Sequence, residues 1–333
     1  MKAPILDLKP SLPRSVYLET TSRCNSLCKT CLLTYGGREP ERDMTWDEFR
    51  RVVDQFPILE RAVLHGIGEP LLNRDLARMI AHLKERGCAV VFNSNAITMG
   101  ADMASALLDA GLDELRVSLD AGSREVYARV RGVDAFDKVL GNLAALSELK
   151  RRRGAAHPRV SLWFTAMKDN IADIPRLVPL AAGAGAFGIY LQRLVYNGRG
   201  LAVEEQSLHG RLGEREAGLI KAAEEAARRE GLDFSASGAA SPEVSLARSP
   251  DGRPWSACRR PWTLVYVTAG GNVLPCCFAP WITDHYEGII LGNLRTESLR
   301  DVWWGEKYLN FRRDLQTVEP PEPCRGCGVK WSL

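Results

Sequence analysis

No apolar stretch in the 333 residues approaches the ~20 that a membrane-spanning helix needs. Nor does an apolar core follow the N-terminus, where Pro4, Pro10 and Pro13 interrupt the first fourteen positions, Met1 to Arg14. These absences argue against a membrane partner and a secretory signal, and make the cytoplasm the expected compartment. An excess of one charge is missing too. Lys and Arg number 44 against 41 Asp and Glu, and the one dense basic run, Arg151-Arg152-Arg153, falls where a helix should end and can meet the helix dipole. Nucleic acid is therefore not an expected partner. Histidine is scarce, with 5 in the chain, and no internal repeat or low-complexity tract stands out. The 9 cysteines are an odd number in a large chain without an export signal, which fits metal or cluster ligation better than disulfides.

With 45% hydrophobic and 26% charged residues the chain reads as folded throughout, long enough for one large α/β domain and a small appendage. Between about residues 16 and 195, short β-rich runs alternate with amphipathic helical stretches. Strands are expected at Val16–Glu19, Arg61–His65, Ala89–Asn93, Glu114–Leu119, Arg159–Thr165 and Gly188–Leu191. Helices are expected at Thr45–Phe56, Arg74–Arg86, Ala101–Asp109, Ser123–Val130, Phe136–Arg151 and Ile171–Ala182, with Thr45 and Asn73 as N-terminal caps and Gly87 and Gly111 as C-terminal ones. Repeated βα units imply a parallel sheet, since parallel strands need long crossovers. Polar clusters follow each strand, as a barrel rim requires: Glu19–Asn25, His65–Glu69, Asn93–Asn95, Ser118–Asp120, Thr165–Asn170 and Gln192–Arg193.

The cysteines fall into two groups, with Cys88 alone at the start of a strand and expected in the core. Cys24-x3-Cys28-x2-Cys31 follows the first strand and lies on a loop. Three thiolates can hold three corners of a cubane cluster and leave one iron open, whereas structural zinc wants four closed ligands, and the loop offers no fourth Cys or His. Later, Cys258, Cys276, Cys324 and Cys327 supply four sulfurs from three pieces of chain, around a hairpin expected at Thr263–Val267 and Asn272–Leu274. Their spacing leaves zinc and a second cluster equally open.

The first group, with its surroundings, resembles the radical S-adenosylmethionine superfamily, whose signature is CxxxCxxC after the first strand. Leu18-Glu19-Thr20-Thr21-Ser22-Arg23-Cys24-Asn25 looks like the lead-in, and Gly66-Ile67-Gly68-Glu69-Pro70 matches the glycine-rich motif that receives the methionine amino group. Val117-Ser118-Leu119-Asp120 and Val130-Arg131-Gly132 resemble the serine and arginine associated with the methionine carboxylate. Thr30 departs from the aromatic residue many members carry before the third cysteine. The resemblance implies a 4Fe–4S cluster on Cys24, Cys28 and Cys31, with S-adenosylmethionine contacted by Gly66, Gly68, Glu69, Asn93, Ser118, Asp120, Arg131 and Gln192. It further implies reductive cleavage to a 5′-deoxyadenosyl radical that abstracts a substrate hydrogen, with an external donor such as flavodoxin or ferredoxin. The physics agrees: glycines permit close approach, carbonyls and a carboxylate accept from an ammonium, and Arg131 offers a forked donor to a carboxylate.

The second group resembles the auxiliary-cluster appendage called SPASM, in its shortened Twitch form, with Cys258, Cys276, Cys324 and Cys327 on a second 4Fe–4S cluster. Cys277 is then left over, as a small buried hydrophobe, an alternative ligand, or a thiol returning a hydrogen atom to a substrate radical. The expected fold is a partial (β/α)6 TIM-like barrel with a C-terminal hairpin-plus-helix appendage. Its expected divisions are residues 1–197 for the barrel, 198–255 for a linker or insertion with a helix near Glu214–Glu230, and 256–333 for the appendage, with a last helix at Leu299–Leu315. Glu19, Lys168, Gln192, Arg193 and Tyr196 fall at strand ends where a substrate should lie, Lys168 and Arg193 being candidate proton acceptors or substrate contacts. His65 precedes the glycine motif and is expected in a hydrogen-bonded structural role. Similar enzymes include aminocyclitol dehydrogenases, aminoglycoside epimerases and peptide-modifying enzymes. Because only about 15 residues precede the first strand, where peptide maturases often carry a leader-binding module, oxidation or epimerisation of a small sugar-like metabolite is the first expectation. Peptide modification is the alternative, and a non-enzymatic zinc-binding interaction protein the alternative of another class.

Overall fold

A computed structural model describes residues 6–237, 240–246, 254–325 and 327. Among them the strands are β1 (Ser15–Leu18), β2 (Arg61–Val63), β3 (Ala89–Ser94), β4 (Glu114–Ser118), β5 (Arg159–Ala166), β6 (Gly188–Arg193), β7 (Asp233–Ala236), β8 (Leu264–Val267), β9 (Asn272–Leu274) and β10 (Gly292–Asn293). They form one sheet in the order β10-β9-β8-β1-β2-β3-β4-β5-β6-β7. Every pair from β8 through β1 to β7 is parallel, and only the β8–β9 and β9–β10 pairs are antiparallel. β7 and β10 end the sheet, so it curves as an unclosed, partial barrel.

The strands alternate, and the alternation makes the site. Val16, Leu18, Ala62, Leu64, Val90, Phe92, Leu115, Val117, Leu162 and Phe164 face outward into one hydrophobic core beneath the helices. The intervening positions, such as Tyr17, Arg116, Trp163 and Tyr190, line the interior. The covering helices are α1 (Trp46–Val53), α2 (Leu76–Glu85), α3 (Ala101–Asp109), α4 (Arg124–Arg131), α5 (Phe136–Arg153), α6 (Ile174–Gly183) and α7 (Glu214–Arg229). α1 starts at the expected cap: Thr45 accepts from the Glu48 N–H while Glu48 accepts from the Thr45 N–H, a capping box. Its Phe49, Val52 and Val53 are fully buried, each contributing about 1.5–3 kcal/mol of burial. Gly87 and Gly111 adopt φ +72° and +78° where helices end, as their positions predict.

Four features differ from the sequence reading. Asp75, not Asn73, flanks the start of α2; the buried Asn73 amide donates to Thr20 O (2.6 Å) and Met44 O (3.0 Å), tying the glycine-motif loop to β1. The part of the chain expected as a linker or insertion, residues 198–255, contains β7, a further parallel strand paired with β6 through Gly188↔Asp233 and Tyr190↔Ser235. Small polar Ser235 and Ser237 face the interior there, so no apolar alternation betrays it. Residues 247–253 of that stretch lie outside the described residues. Thirdly, the hairpin does not stand apart, because β8 pairs with β1 from Ser15↔Leu264 to Leu18↔Val267. Finally, Leu299–Leu315 is two helices, Leu299–Trp303 and Glu306–Leu315, broken at Gly305, whose backbone lies too close to Asp301 O for a side chain. Among the described residues no helix is long and apolar enough to cross a membrane.

Candidate active site

The interior encloses a cavity of about 570 Å³ that runs the length of the strands, from Arg61, Glu114, Ser161 and Asp233 at their starts to the first cysteine group at their C-terminal ends. Cys24, Cys28 and Cys31 share its wall with Gly66, Gly68, Glu69, Asn93, Ser118, Asp120, Arg131, Gln192, Arg193 and Cys277. Every expected cofactor contact is thus gathered around one space. Lys168 is not: it is exposed outside this wall, one residue past the buried Met167, with its N–H bonded to Gln206 O (3.0 Å). Its candidacy as proton acceptor or substrate contact falls on that placement. Tyr196, 41% exposed, also lies outside. Arg193 reaches the wall, but a guanidinium is donor-only and permanently charged, so it takes no proton.

The cysteine loop is stapled to the end of α4. Ser26 Oγ donates to Arg131 O (3.0 Å), and the N–H groups of Leu27 and Lys29 to Arg131 O (3.2 Å) and Val130 O (2.8 Å). Gly132 turns beneath at φ +69°, its α-carbon facing Leu27 O so closely that no Cβ fits. Arg131 itself is buried and paired with Asp120 at 2.8 Å. The other Asp120 oxygen accepts from Thr165 N–H (2.6 Å), and Asp120 holds a left-handed φ of +58°. Burial pushes the Cys24 thiol up to about 11 and Cys31 up to about 12, with the neighbouring thiols adding to the rise. Neutral thiols are what such a pocket favours until positive charge arrives, and an iron–sulfur core supplies it. Among the described residues no three His, Cys, Asp or Glu side chains are grouped to hold a single metal ion. Thiols placed around one end of a cavity instead suit a cubane, which spreads its ligands wider than one ion does.

The glycine motif is packed against the chain that leads into this loop. Glu69 N–H donates to Arg23 O (2.8 Å), and the Glu69 carboxylate accepts from Ser94 Oγ (2.7 Å), Asn95 N–H (2.7 Å) and Leu71 N–H (3.1 Å). Burial raises its pKa. Asn95 Nδ2 in turn donates to Asn25 Oδ1 (2.7 Å), beside Cys24. Glu19, expected at the substrate, points elsewhere: it is absent from the wall of the large cavity, and its oxygens accept from Ile67 N–H (2.6 Å) and Ala269 N–H (3.1 Å). It therefore couples the glycine motif to the C-terminal hairpin. Burial pushes its pKa up to about 7, against the partial relief of those bonds. A carboxyl raised in the folded state favours folding while protonated, so this stabilisation is full below the unfolded pKa near 4.5 and is lost as pH rises through about 7. Glu19→Gln, which cannot ionise, is expected to gain on the native protein by about 3 kcal/mol across that window, read as the difference in denaturation midpoints against pH. A pH-independent difference would contradict the assignment.

Burial raises the thiols of Cys258, Cys276 and Cys324, with Cys277 adding to the rise of the first two and Cys276, Cys327 and Cys258 to that of the third. The four expected ligands lie on the segment before β8, the turn after β9 and the C-terminal segment. Cys277 lines the large cavity's wall, where Arg260 Nη1 lies 2.9 Å from its Sγ, and it also neighbours Cys276 and Cys258. Cys88 is buried in the core as expected, and none of the nine cysteines is in a disulfide. His65 lines the large cavity too: it accepts from Asn93 N–H at Nδ1 (3.3 Å), meets Tyr17 edge-on, and is pushed down to about 3 by burial and by Arg116, Arg61 and Arg260. The sequence reading placed polar residues only at strand ends and missed those along the strands. Arg116, paired with Glu114 at 3.1 Å, lies over Trp163, which stacks on Tyr190 at 4.1 Å. The signal was present as polar i, i+2 positions inside strands of a parallel sheet, Glu114-Arg116-Ser118 and Ser161-Trp163-Thr165.

Comparison with known proteins adds the following. The Radical SAM superfamily description matches residues 18–162, and an iron–sulfur cluster-binding domain, SPASM, matches residues 258–328. A PqqA peptide cyclase of Xanthomonas campestris pv. campestris is 30% identical over 330 residues, covering 95% of this chain and 79% of the relative. An AdoMet-dependent heme synthase of Methanosarcina barkeri is 24% identical over 338 residues, covering 95% of this chain and 88% of the relative. Among solved structures, Streptococcus suis SuiB bound to precursor peptide SuiA superposes with a TM-score of 0.68 at 18% identity, over 90% of this chain and 66% of that one. It shares the fold. The cofactors of this group are S-adenosylmethionine and two 4Fe–4S clusters, and this chain belongs to the radical SAM superfamily, with a C-terminal SPASM domain.

Proposed function

We propose that this radical SAM enzyme modifies a peptide substrate. One observation carries the reading: similarity to a PqqA peptide cyclase runs across 95% of the chain at 30% identity. The expectation of a sugar-like metabolite has less support. Below the cofactor contacts the same cavity is lined by Arg116, Trp163 and Tyr190, which suits entry of an extended chain that places one residue inside.

In this reading Cys24, Cys28 and Cys31 hold the catalytic cluster, and Cys258, Cys276, Cys324 and Cys327 the auxiliary one. The Gly66–Glu69 turn, Asn93, Ser118, Asp120, Arg131 and Gln192 surround S-adenosylmethionine. When bound and reduced by an external donor such as flavodoxin or ferredoxin, this cofactor pair supplies a 5′-deoxyadenosyl radical. The chain's own residues do the rest: Arg131 and Asp120 fix the loop, Glu69 fixes the turn, and the barrel wall keeps water from the reacting centre. The test is anaerobic incubation with S-adenosylmethionine, reductant and short peptides encoded beside the gene. A mass change in one peptide, matched by 5′-deoxyadenosine, is the expected result. Consumption of an aminocyclitol or sugar, with every peptide unchanged, would overturn the proposal.

A second reading of the reaction type is epimerisation, since the Cys277 thiol faces the cavity. Cys277→Ala is then expected to abolish product while 5′-deoxyadenosine continues to form. Unchanged product would remove hydrogen return from the mechanism.

A further inference from the structure

Towards the starts of the strands the large cavity carries two guanidiniums that the cofactor does not use, Arg61 and Arg116. Arg116 stands two residues before Ser118 on the same face of β4, about 7 Å along the strand. It is built into the wall. Its side chain is 13% exposed, Nη2 donates to Glu114 Oε2 (3.1 Å), and the guanidinium carbon lies 4.9 Å from the centre of the Trp163 ring. Ser161 Oγ donates to the other Glu114 oxygen (2.8 Å) and accepts from Trp163 Nε1 (3.0 Å), so the aromatic floor and the ion pair are one network. Arg116 Nε is buried with no hydrogen-bond partner among the described residues, so Glu114 satisfies the guanidinium only in part. Arg61, half-buried at the start of β2, has no side-chain hydrogen bond or ion pair among the described residues.

Two cations therefore share this part of the cavity with one bonded acid, Glu114. Asp233, the other acid at the strand starts, is exposed on the edge strand β7. His65, on the same wall, is held neutral by burial and by both arginines, and adds no charge. Charge in a narrow cavity is weakly screened, and a guanidinium fork matches a planar anion that offers two oxygens. A carboxylate is such an anion with a single charge, whereas the second charge of a phosphate would be opposed by Glu114. About 7 Å below the level of Ser118, a carboxylate bonded to Arg116 lies within the span of one residue from a carbon that faces the cofactor.

We propose that Arg116 and Arg61 bind a carboxylate of the substrate, making the lower cavity a subsite for an acidic side chain or a chain end. The kind of substrate rests on the peptide reading, while the subsite itself rests on the cavity wall.

The experiment is a calorimetric titration of the full-length protein, anaerobically reconstituted and given S-adenosylmethionine without reductant, so that nothing turns over. The probes are three pentapeptides: acetyl-Ala-Ala-Glu-Ala-Ala-amide, its Gln counterpart, and that Gln peptide with a free C-terminal carboxylate. A peptide with a carboxylate is expected to bind about ten- to hundredfold more tightly than the capped Gln peptide. Preference for the Glu peptide assigns the subsite to a side chain, and preference for the free end assigns it to a chain terminus. Arg116→Met and Arg61→Gln are each expected to bring the ratio most of the way to one, and Arg116→Lys to keep part of it. A ratio near one in the native protein, or variants that weaken all three peptides alike, overturns the proposal. Should Arg116→Met fail to fold once Glu114 loses its partner, Arg61→Gln, which breaks no bond, decides alone. If none of the three peptides binds, glutarate is titrated instead. Binding of glutarate that Arg61→Gln weakens keeps the subsite and removes the peptide reading, and absence of binding overturns the proposal.

Discussion

Arg131→Ala is expected to destabilise the protein by about 3–5 kcal/mol, the usual cost of leaving one partner of a buried ion pair without the other. The stranded group is Asp120, 3% exposed and held at φ +58°, with one oxygen on Thr165 N–H and the other on Arg131. Arg131 also contributes the carbonyl that receives Ser26 and Leu27, so the strain appears where the cysteine loop meets α4. Chemical denaturation should show the loss in the midpoint, and reconstitution should give less iron bound at the first cysteine group. Asp120→Ala added to Arg131→Ala should recover part of the stability, because the lone buried carboxylate is then gone. A loss below about 1 kcal/mol would mean that the pair is hydrated and contributes as surface pairs do.

Gly68→Ala is the second large effect. A methyl there would overlap the carbonyl of Thr21 and stand 2.8 Å from Arg23 O, both backbone atoms on the path into Cys24. Neither can rotate aside, so the turn must move away, and Glu69 N–H must release Arg23 O. Overpacking of this kind costs about 1–3 kcal/mol, and here the displaced segment is the cysteine loop itself. Gly66→Ala provides the contrast: its methyl would meet the Glu19 side chain and no backbone, so the cost falls on the Glu19 bonds to Ile67 and Ala269 rather than on the cysteine loop. The expected outcome is that Gly68→Ala loses most S-adenosylmethionine cleavage and affinity, measured by 5′-deoxyadenosine formation and by calorimetry, while Gly66→Ala loses less. Equal losses would show that space for the cofactor, not the packing of the turn, decides the glycines.

These two residues show what the sequence made legible. The Gly-Ile-Gly-Glu-Pro turn and Arg131 were assigned to the cofactor; Gly66 to Glu69 and Arg131 line the large cavity, and much of their bonding is spent on holding the cysteine loop. A motif read alone names its ligand and not its scaffold. The six βα units were readable because outward-facing apolar residues alternate cleanly and glycines such as Gly87 and Gly111 end their helices. β7 was not, since a short strand with serines facing a cavity has the composition of a loop. Glu19 looked like a substrate residue because strand ends usually are. The β8–β1 pairing places Ala269 next to its carboxylate, a long-range contact spanning 250 residues that no local pattern carries. Which of the adjacent Cys276 and Cys277 lines the cavity was equally hidden, because neighbouring thiols are distinguished only by the face each presents.

The central claim is that the two cysteine groups hold two separate clusters and that the first alone starts the radical chemistry. Iron and 5′-deoxyadenosine should be measured together on anaerobically reconstituted native protein and on the Cys24/Cys28/Cys31→Ala variant. The account predicts about eight irons per chain falling to about four, with 5′-deoxyadenosine falling to background. A variant that keeps all its iron, or that still forms 5′-deoxyadenosine, would contradict it.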